Sequence, residues 1–290
     1  MTVELDRMRL PWDDGGWPVS AKDRLAMSTV LILVPLAIAF ESFVVIPYYT
    51  DWGTGDFWLH MGVVAFFSLN IYGNLYRLVM ANPSGEQTEL PSVLHSGFRY
   101  CARCKLNAPP RAYHCPTCDL CIWKRDHHCS FAGTCVGYFN HRFYLMTVTY
   151  MAFGALLAVW WHWSYVWESM GGLRVGTVWF MFVPHLALIT QFISIKQFLL
   201  LGFLTGSITC AAFTAFLLGS QLMCIVRGQT RPEFLLGIHS YNLGVRTNFL
   251  YVLGKRWYLA LICPFLPSPM HSDGQTFERN THILETVKDL

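Results

Sequence analysis

What most limits the fold of this chain is a set of apolar runs, each near the length of a bilayer-spanning helix, roughly 20 residues. The first runs from about Ala26 to Ile46 and is broken only by Glu41. The second runs from about Trp58 to Met80, with Asn70, Asn74 and Arg77 toward its end, and a third from Phe143 to Trp163. A fourth lies within Val178 to Val226, where the apolar character lasts too long for one helix. A chain of 290 residues could hold one or two soluble domains, but 53% hydrophobic and 13% charged residues exclude that reading.

Charge sets the expected orientation. From Arg77 to Arg142 there are eight Lys or Arg residues, whereas the segment 47–57 has none. The positive-inside tendency therefore puts the N-terminus and the insert between runs two and three in the cytoplasm. The opening segment is mixed in charge and carries Pro11 and Pro18, so the first run reads as a retained anchor rather than a cleaved signal. Arg227, Arg231, Arg246, Lys255 and Arg256 make the tail cytoplasmic too. Returning there from the insert takes an even number of crossings, so 178–226 crosses once. The surplus length is then lumenal, interfacial or part of a long tilted helix, with Pro184 marking a break. The expectation is an all-α polytopic membrane protein of four transmembrane helices. Its parts are a cytosolic N-terminus (1–25), spans 1 and 2 (26–80), a cytosolic cysteine-rich domain (81–142), spans 3 and 4 (143–226) and a cytosolic C-terminal segment (227–290).

The insert carries the chemistry. Seven of the ten cysteines lie between Cys101 and Cys135, with His114, His127 and His128 among them. The order is Cys101-x2-Cys104, then His114-Cys115-x2-Cys118-x2-Cys121, Asp126-His127-His128-Cys129 and Cys135. A reducing cytosol makes these metal or catalytic residues rather than disulfides. Structural zinc takes four Cys or His ligands, and pairs two residues apart clasp it well. Ten candidates fill two such sites and leave two residues over, read as a thiol with an imidazole beside it. Pro109, Pro110 and Pro116 and the lack of a helical period predict loops and small hairpins, folded largely by bound metal. Spacing alone does not divide the ligands between sites. If the tetrapeptide is extended, His127 and Cys129 share one face and His128 takes the other.

The string from Cys101 to Cys135, centred on Asp126-His127-His128-Cys129 and continuing to Asn140 and Phe143, resembles the DHHC protein S-acyltransferases, which palmitoylate proteins. That resemblance implies one zinc on Cys101, Cys104, His114 and Cys121 and another on Cys115, Cys118, His128 and Cys135. It implies Cys129 as the acyl-accepting nucleophile, His127 as its base and Asp126 as the residue orienting that histidine. The implied co-substrate is a fatty acyl-CoA such as palmitoyl-CoA, handled in ping-pong fashion. The partners are membrane lipid and cytosolic or membrane proteins with accessible cysteines, with no nucleic acid. The family favours the Golgi or endoplasmic reticulum membrane, with the active site facing the cytosol. In the tail, Tyr241-Asn242-Leu243-Gly244 and Asn248 resemble the family's C-terminal segment, in which Asn248 would anchor the tail. Two stretches depart from the usual pattern. Asn82-Pro83-Ser84 stands where Asp-Pro-Gly is common, and Thr230-Arg231-Pro232-Glu233 where Thr-Thr-x-Glu is common.

Other residues have simpler readings. Arg99, Arg103, Lys105, Arg111, Lys124 and Arg125 are candidate partners for CoA phosphates or anionic headgroups. His95, His141 and His185 read as packed or surface histidines, and Cys210, Cys224 and Cys263 as small apolar membrane residues. Trp160, Trp161, Trp163 and Trp167 read as an interfacial belt, Arg77 as a snorkelling cation, and Glu41 as facing the lumen or a neighbouring span. The rival to an enzyme is an inactive zinc-bearing scaffold of the same fold. A RING-type ligase would have no use for the surplus His127 and Cys129, and a metal transporter would need ligands within its spans.

Overall fold

The computed structural model describes residues 18, 20–84, 90 and 96–280. Two long helices, α1 (Ala21–Tyr49) and α2 (Gly55–Met80), precede the cysteine-rich segment, and α3 (His141–Ser169) follows it. The long apolar stretch then resolves into three elements: α4 (Val175–Phe182), α5 (Pro184–Ile189) and α6 (Ile195–Val226). The surplus is thus two short helices. Pro184 opens the second, a position where its missing N–H leaves no bond unmade. Helices α1, α2, α3 and α6 are long and apolar enough to cross a bilayer, which makes this an integral, multi-pass membrane protein. Within α1 the turn Glu41–Val45 widens to a π-helix directly before Pro47. A proline there cannot close the regular ladder, and the wider turn takes up the mismatch.

The chain folds as two compact units. One comprises Ile32–Leu69 and Val148–Leu218. Its core gathers Phe40, Val45, Tyr165, Val166, Trp167, Ile193, Leu200, Leu201 and Leu204, with Phe40 stacked on Phe203 at 4.0 Å. Glu41 does not face open space. Its Oε2 meets His162 Nε2 at 2.5 Å, and Ser207 Oγ lies 3.3 Å from the other ring nitrogen. All three are buried, so the cluster ties α1, α3 and α6 through polar bonds that lipid cannot compete for. The aromatic belt needs correction. Trp160 and Trp163 are exposed, but Trp167 is a core residue, 4% exposed. His185 is at the surface, with its ring edge on Phe198, and His95 lies outside the described residues.

The other unit comprises Met1–Leu31, Asn70–Thr147 and Gly219–Leu290. The cysteine-rich segment folds here as three antiparallel hairpins, β1 (Arg99–Cys101) with β2 (Leu106–Ala108), β3 (Tyr113–Cys115) with β4 (Leu120–Ile122), and β5 (His127–Cys129) with β6 (Thr134–Val136). Each turn places a residue in the left-handed region just before the returning strand: Lys105, Asp119 and Gly133. The turns also bring together cysteines spaced two residues apart, since Cys101 and Cys115 end a strand and Cys104 and Cys118 lie in the turn. Little apolar core accompanies them, chiefly Ala108, Ala112, Ile122, Trp123 and Tyr138.

Three short helices follow α6: α7 (Arg231–Leu235), α8 (Val245–Leu253) and α9 (Trp257–Ala260). Asn248 of α8 is buried. It donates to the last carbonyl of α6, on Val226, and to Asn242 Oδ1, both at 3.0 Å, and accepts from the Leu243 N–H at 3.1 Å. The tail crosses so close to Gly228 that a Cβ there would lie 2.5 Å from the Tyr241 carbonyl. Asn140 plays a similar part at the start of α3, bonding the carbonyls of Leu78 and Cys135.

Candidate active site and metal centres

The hairpins converge the ligand candidates into two clusters. Cys101, Cys104, His114 and Cys121 form one, and Cys115, Cys118, His128 and Cys135 the other, with donor atoms within 4.8 Å of one another in each. These are the same two sets that the resemblance implies, and the interleaving follows from hairpin register. Pairing sets His114 opposite Cys121 and His128 opposite Cys135. In the second cluster, His128 Nδ1 lies 3.3 Å from Cys118 Sγ and 3.7 Å from Cys135 Sγ, and those two sulfurs are 3.7 Å apart. Tetrahedral zinc with its usual bond lengths spaces its donors by roughly 3.5–3.8 Å, so the residues fit the ion.

Both histidines are held from behind by a carboxylate. His128 Nε2 meets Asp23 Oδ2 at 3.0 Å, and His114 Nε2 meets Asp119 Oδ1 at 3.4 Å. Each ring therefore keeps its proton on Nε2 and turns Nδ1 toward the thiols, the arrangement that orients a metal-binding imidazole. Three thiolates and an imidazole around a dication leave one negative charge. In the second cluster the Arg125 side chain lies against Cys135 and Cys115 and offsets it.

His127-His128-Cys129 is extended, as β5, so its side chains alternate, with Asp126 directly before it. His128 goes to the metal cluster, and His127 and Cys129 take the opposite face. His127 Nδ1 meets Asp126 Oδ2 at 2.7 Å. The other polar contact of the ring is with the Cys129 thiol, and its edge packs on Tyr144 at 4.7 Å between centroids. The Asp126 carboxylate is buried and gripped by further donors. Gln221 Nε2 of α6 donates to Oδ2, and the Arg231 N–H donates to Oδ1, each at 2.9 Å. Burial alone would raise this carboxyl, but the His127 hydrogen bond and nearby positive charge hold it well below the usual carboxylate range. Burial would lower His127, yet its bonds to Asp126 and Cys129 push it up to about 9. An imidazole this basic keeps a proton near neutrality once it has taken one.

The two departures from the family pattern are accommodated. Arg231 reaches Asp126 through its backbone N–H, which does not depend on the side chain. Glu233 keeps its place. It accepts the Thr230 N–H at 2.8 Å and pairs with the buried Arg111 guanidinium through two bonds of 2.7 and 2.6 Å. In the other departure, Asn82 Oδ1 accepts the Ser84 N–H at 2.9 Å, a turn that Asn closes as readily as Asp.

Beyond the motif, the resemblance extends over most of the chain. A family model for the DHHC palmitoyltransferase matches residues 95–237. "Probable palmitoyltransferase ZDHHC24" of Homo sapiens is 38% identical over 238 residues, covering 79% of this chain and 81% of the relative. The Danio rerio protein of the same name is 34% identical over 235 residues, covering 79% and 78%. The chain belongs to the DHHC palmitoyltransferase family. It is accordingly a protein S-palmitoyltransferase. Several residues of this DHHC enzyme escaped the sequence reading. Asp23 stands just before the first apolar run, and Gln221 is one of three glutamines in the fourth. Neither lies at any fixed spacing from the motif it serves. Arg111 and Lys124 are not open to CoA phosphates or headgroups as expected: both are buried, one against Glu233 and one donating to the Tyr251 carbonyl.

Proposed function

We propose that Cys129 is the nucleophile, with His127 as its base and Asp126 orienting the imidazole, and that the acyl donor is a long-chain acyl-CoA. The observation that carries this reading is His127 and Cys129 on one face of β5 with Asp126 directly before the strand, its carboxylate fixed from three sides. His127 takes the Cys129 proton, and the thiolate attacks the thioester carbonyl. The carbon–sulfur bond to CoA breaks, and the imidazolium proton goes to the departing sulfur. A substrate cysteine then gives its proton to His127, attacks the acyl-Cys129 thioester and leaves with the chain. Each step exchanges one thioester for another, so the sequence is ping-pong and needs no ATP. Two zinc ions, on Cys101, Cys104, His114 and Cys121 and on Cys115, Cys118, His128 and Cys135, would fold the hairpins that present β5. The site faces the cytosol, where Arg103 and Lys105 remain exposed for phosphates or headgroups. The Golgi or endoplasmic reticulum membrane is the compartment that family membership favours.

The test is labelling of the purified protein with palmitoyl-CoA. Wild type should take up hydroxylamine-sensitive label and release CoA, while Cys129→Ala should lose both by at least about 100-fold. Equal label on the two proteins would remove Cys129 from the reaction and leave the scaffold reading.

A further inference from the structure

Donor and acceptor matching around Asp126 leads from the active site into a small internal cavity. The Asp126 carboxylate can only accept, so the Gln221 amide must present its NH2 group there. Gln221 Oε1 therefore faces away, toward His141 Nε2 at 2.9 Å. An amide oxygen can only accept, which fixes the His141 proton on Nε2. Neutral His141 then offers a bare Nδ1, a buried acceptor with no partner among the described residues. That residue lines a cavity of about 20 Å3 with Lys124, Gln229 and Asn248. Gln229 Oε1 is a second buried acceptor without a partner among the described residues. Lys124, 5% exposed, brings the donors, and donates to the Tyr251 carbonyl at 3.3 Å.

We infer that Gln221 and His141 are positioning residues for palmitoyl transfer, held by a water molecule in this cavity that Lys124 supports. A space of this size holds one water, and two acceptors with an amine give it partners. The nitrogen of Lys124 donates whether charged or neutral, so the arrangement does not depend on its protonation. The chain Lys124–water–His141–Gln221–Asp126 fixes the side of the carboxylate from which His127 takes its bond. Loss of a link leaves the acyl-CoA site intact but lets the carboxylate rotate, so turnover falls while substrate binding stays.

This inference rests on the proposed roles of Asp126, His127 and Cys129, and the experiment separates the two. Full-length Gln221→Met, His141→Phe and their double variant are purified and assayed for palmitoyl-CoA turnover, with zinc content and monodispersity as checks on folding. Methionine fills the glutamine's volume without donating. Gln221→Met should lower kcat about 10- to 100-fold with KM for palmitoyl-CoA within about twofold. His141→Phe should lower kcat less. The double variant should match Gln221→Met, because both act through one chain. Wild-type kcat in Gln221→Met, or losses that multiply in the double variant, would overturn the inference. If Gln221→Met loses zinc or aggregates, His141→Phe carries the test alone, and an unchanged kcat there sinks it. A Cys129→Ala protein that still turns over would instead bring down the underlying reading.

Discussion

Asp126 has three donors from three parts of the chain: a neighbouring imidazole, an amide on α6 and a backbone N–H just beyond it. Hydrogen bonds to a charged acceptor are worth about 1.5–3 kcal/mol each. Arg231→Pro deletes one of these donors and should slow CoA release about tenfold, read from single-turnover labelling. Unchanged kinetics would mean that the two other donors suffice. Asp23 acts through His128 in the same way. A carboxylate behind a ligating histidine commonly contributes about 10- to 100-fold in metal affinity, so Asp23→Ala should weaken one of two zinc ions by that factor. Competition with a chromophoric chelator would show it as one early-released ion per chain, whereas two ions of unaltered affinity would count against the role of Asp23.

Among the elements, the hairpins and the tail behave differently. Each hairpin is too short to stand alone in water, and its apolar contacts are few. Register converts adjacent positions into opposite faces, which is why a string of four residues can serve a metal and a nucleophile together. The tail relies on a buried amide. Asn248→Ala removes donors to Val226 and Asn242 and an acceptor for Leu243, at a cost of about 1–3 kcal/mol. A lower melting temperature, with faster proteolysis between 241 and 280, is the expected result. An unchanged melting curve would show that the apolar contacts of α8 hold the tail unaided.

At the scale of the molecule, two compact units differ in what stabilises them. The unit of Ile32–Leu69 and Val148–Leu218 is all helix and is closed by an apolar core and a buried Glu41–His162–Ser207 cluster. The unit holding the hairpins has two Cys/His clusters fit to hold zinc, and structural zinc would contribute roughly 10–16 kcal/mol to such a small fold. Treatment with a strong chelator should therefore release two zinc ions, abolish palmitoylation and open 96–140 to protease. The helical circular dichroism of the spans should persist. A parallel loss of helix would mean that the spans depend on the metal centres as well.

The amino-acid sequence by itself determined the four spans, the cysteine-rich insert and the two residues left over, a thiol and an imidazole. These follow from local properties: run length, ligand spacing and the alternation of an extended strand. The extra apolar length in 178–226 was legible as a surplus, with Pro184 as its mark, but not as two separate helices. Only the tertiary structure decided what surrounds the site. Asp23, Gln221 and Arg231 reach it from positions 105, 95 and 105 residues away along the chain. Burial made internal cations of Arg111 and Lys124, two of the candidate phosphate or headgroup partners. Such contacts depend on which helices pack against the hairpins, and no local pattern of charge or spacing encodes that choice.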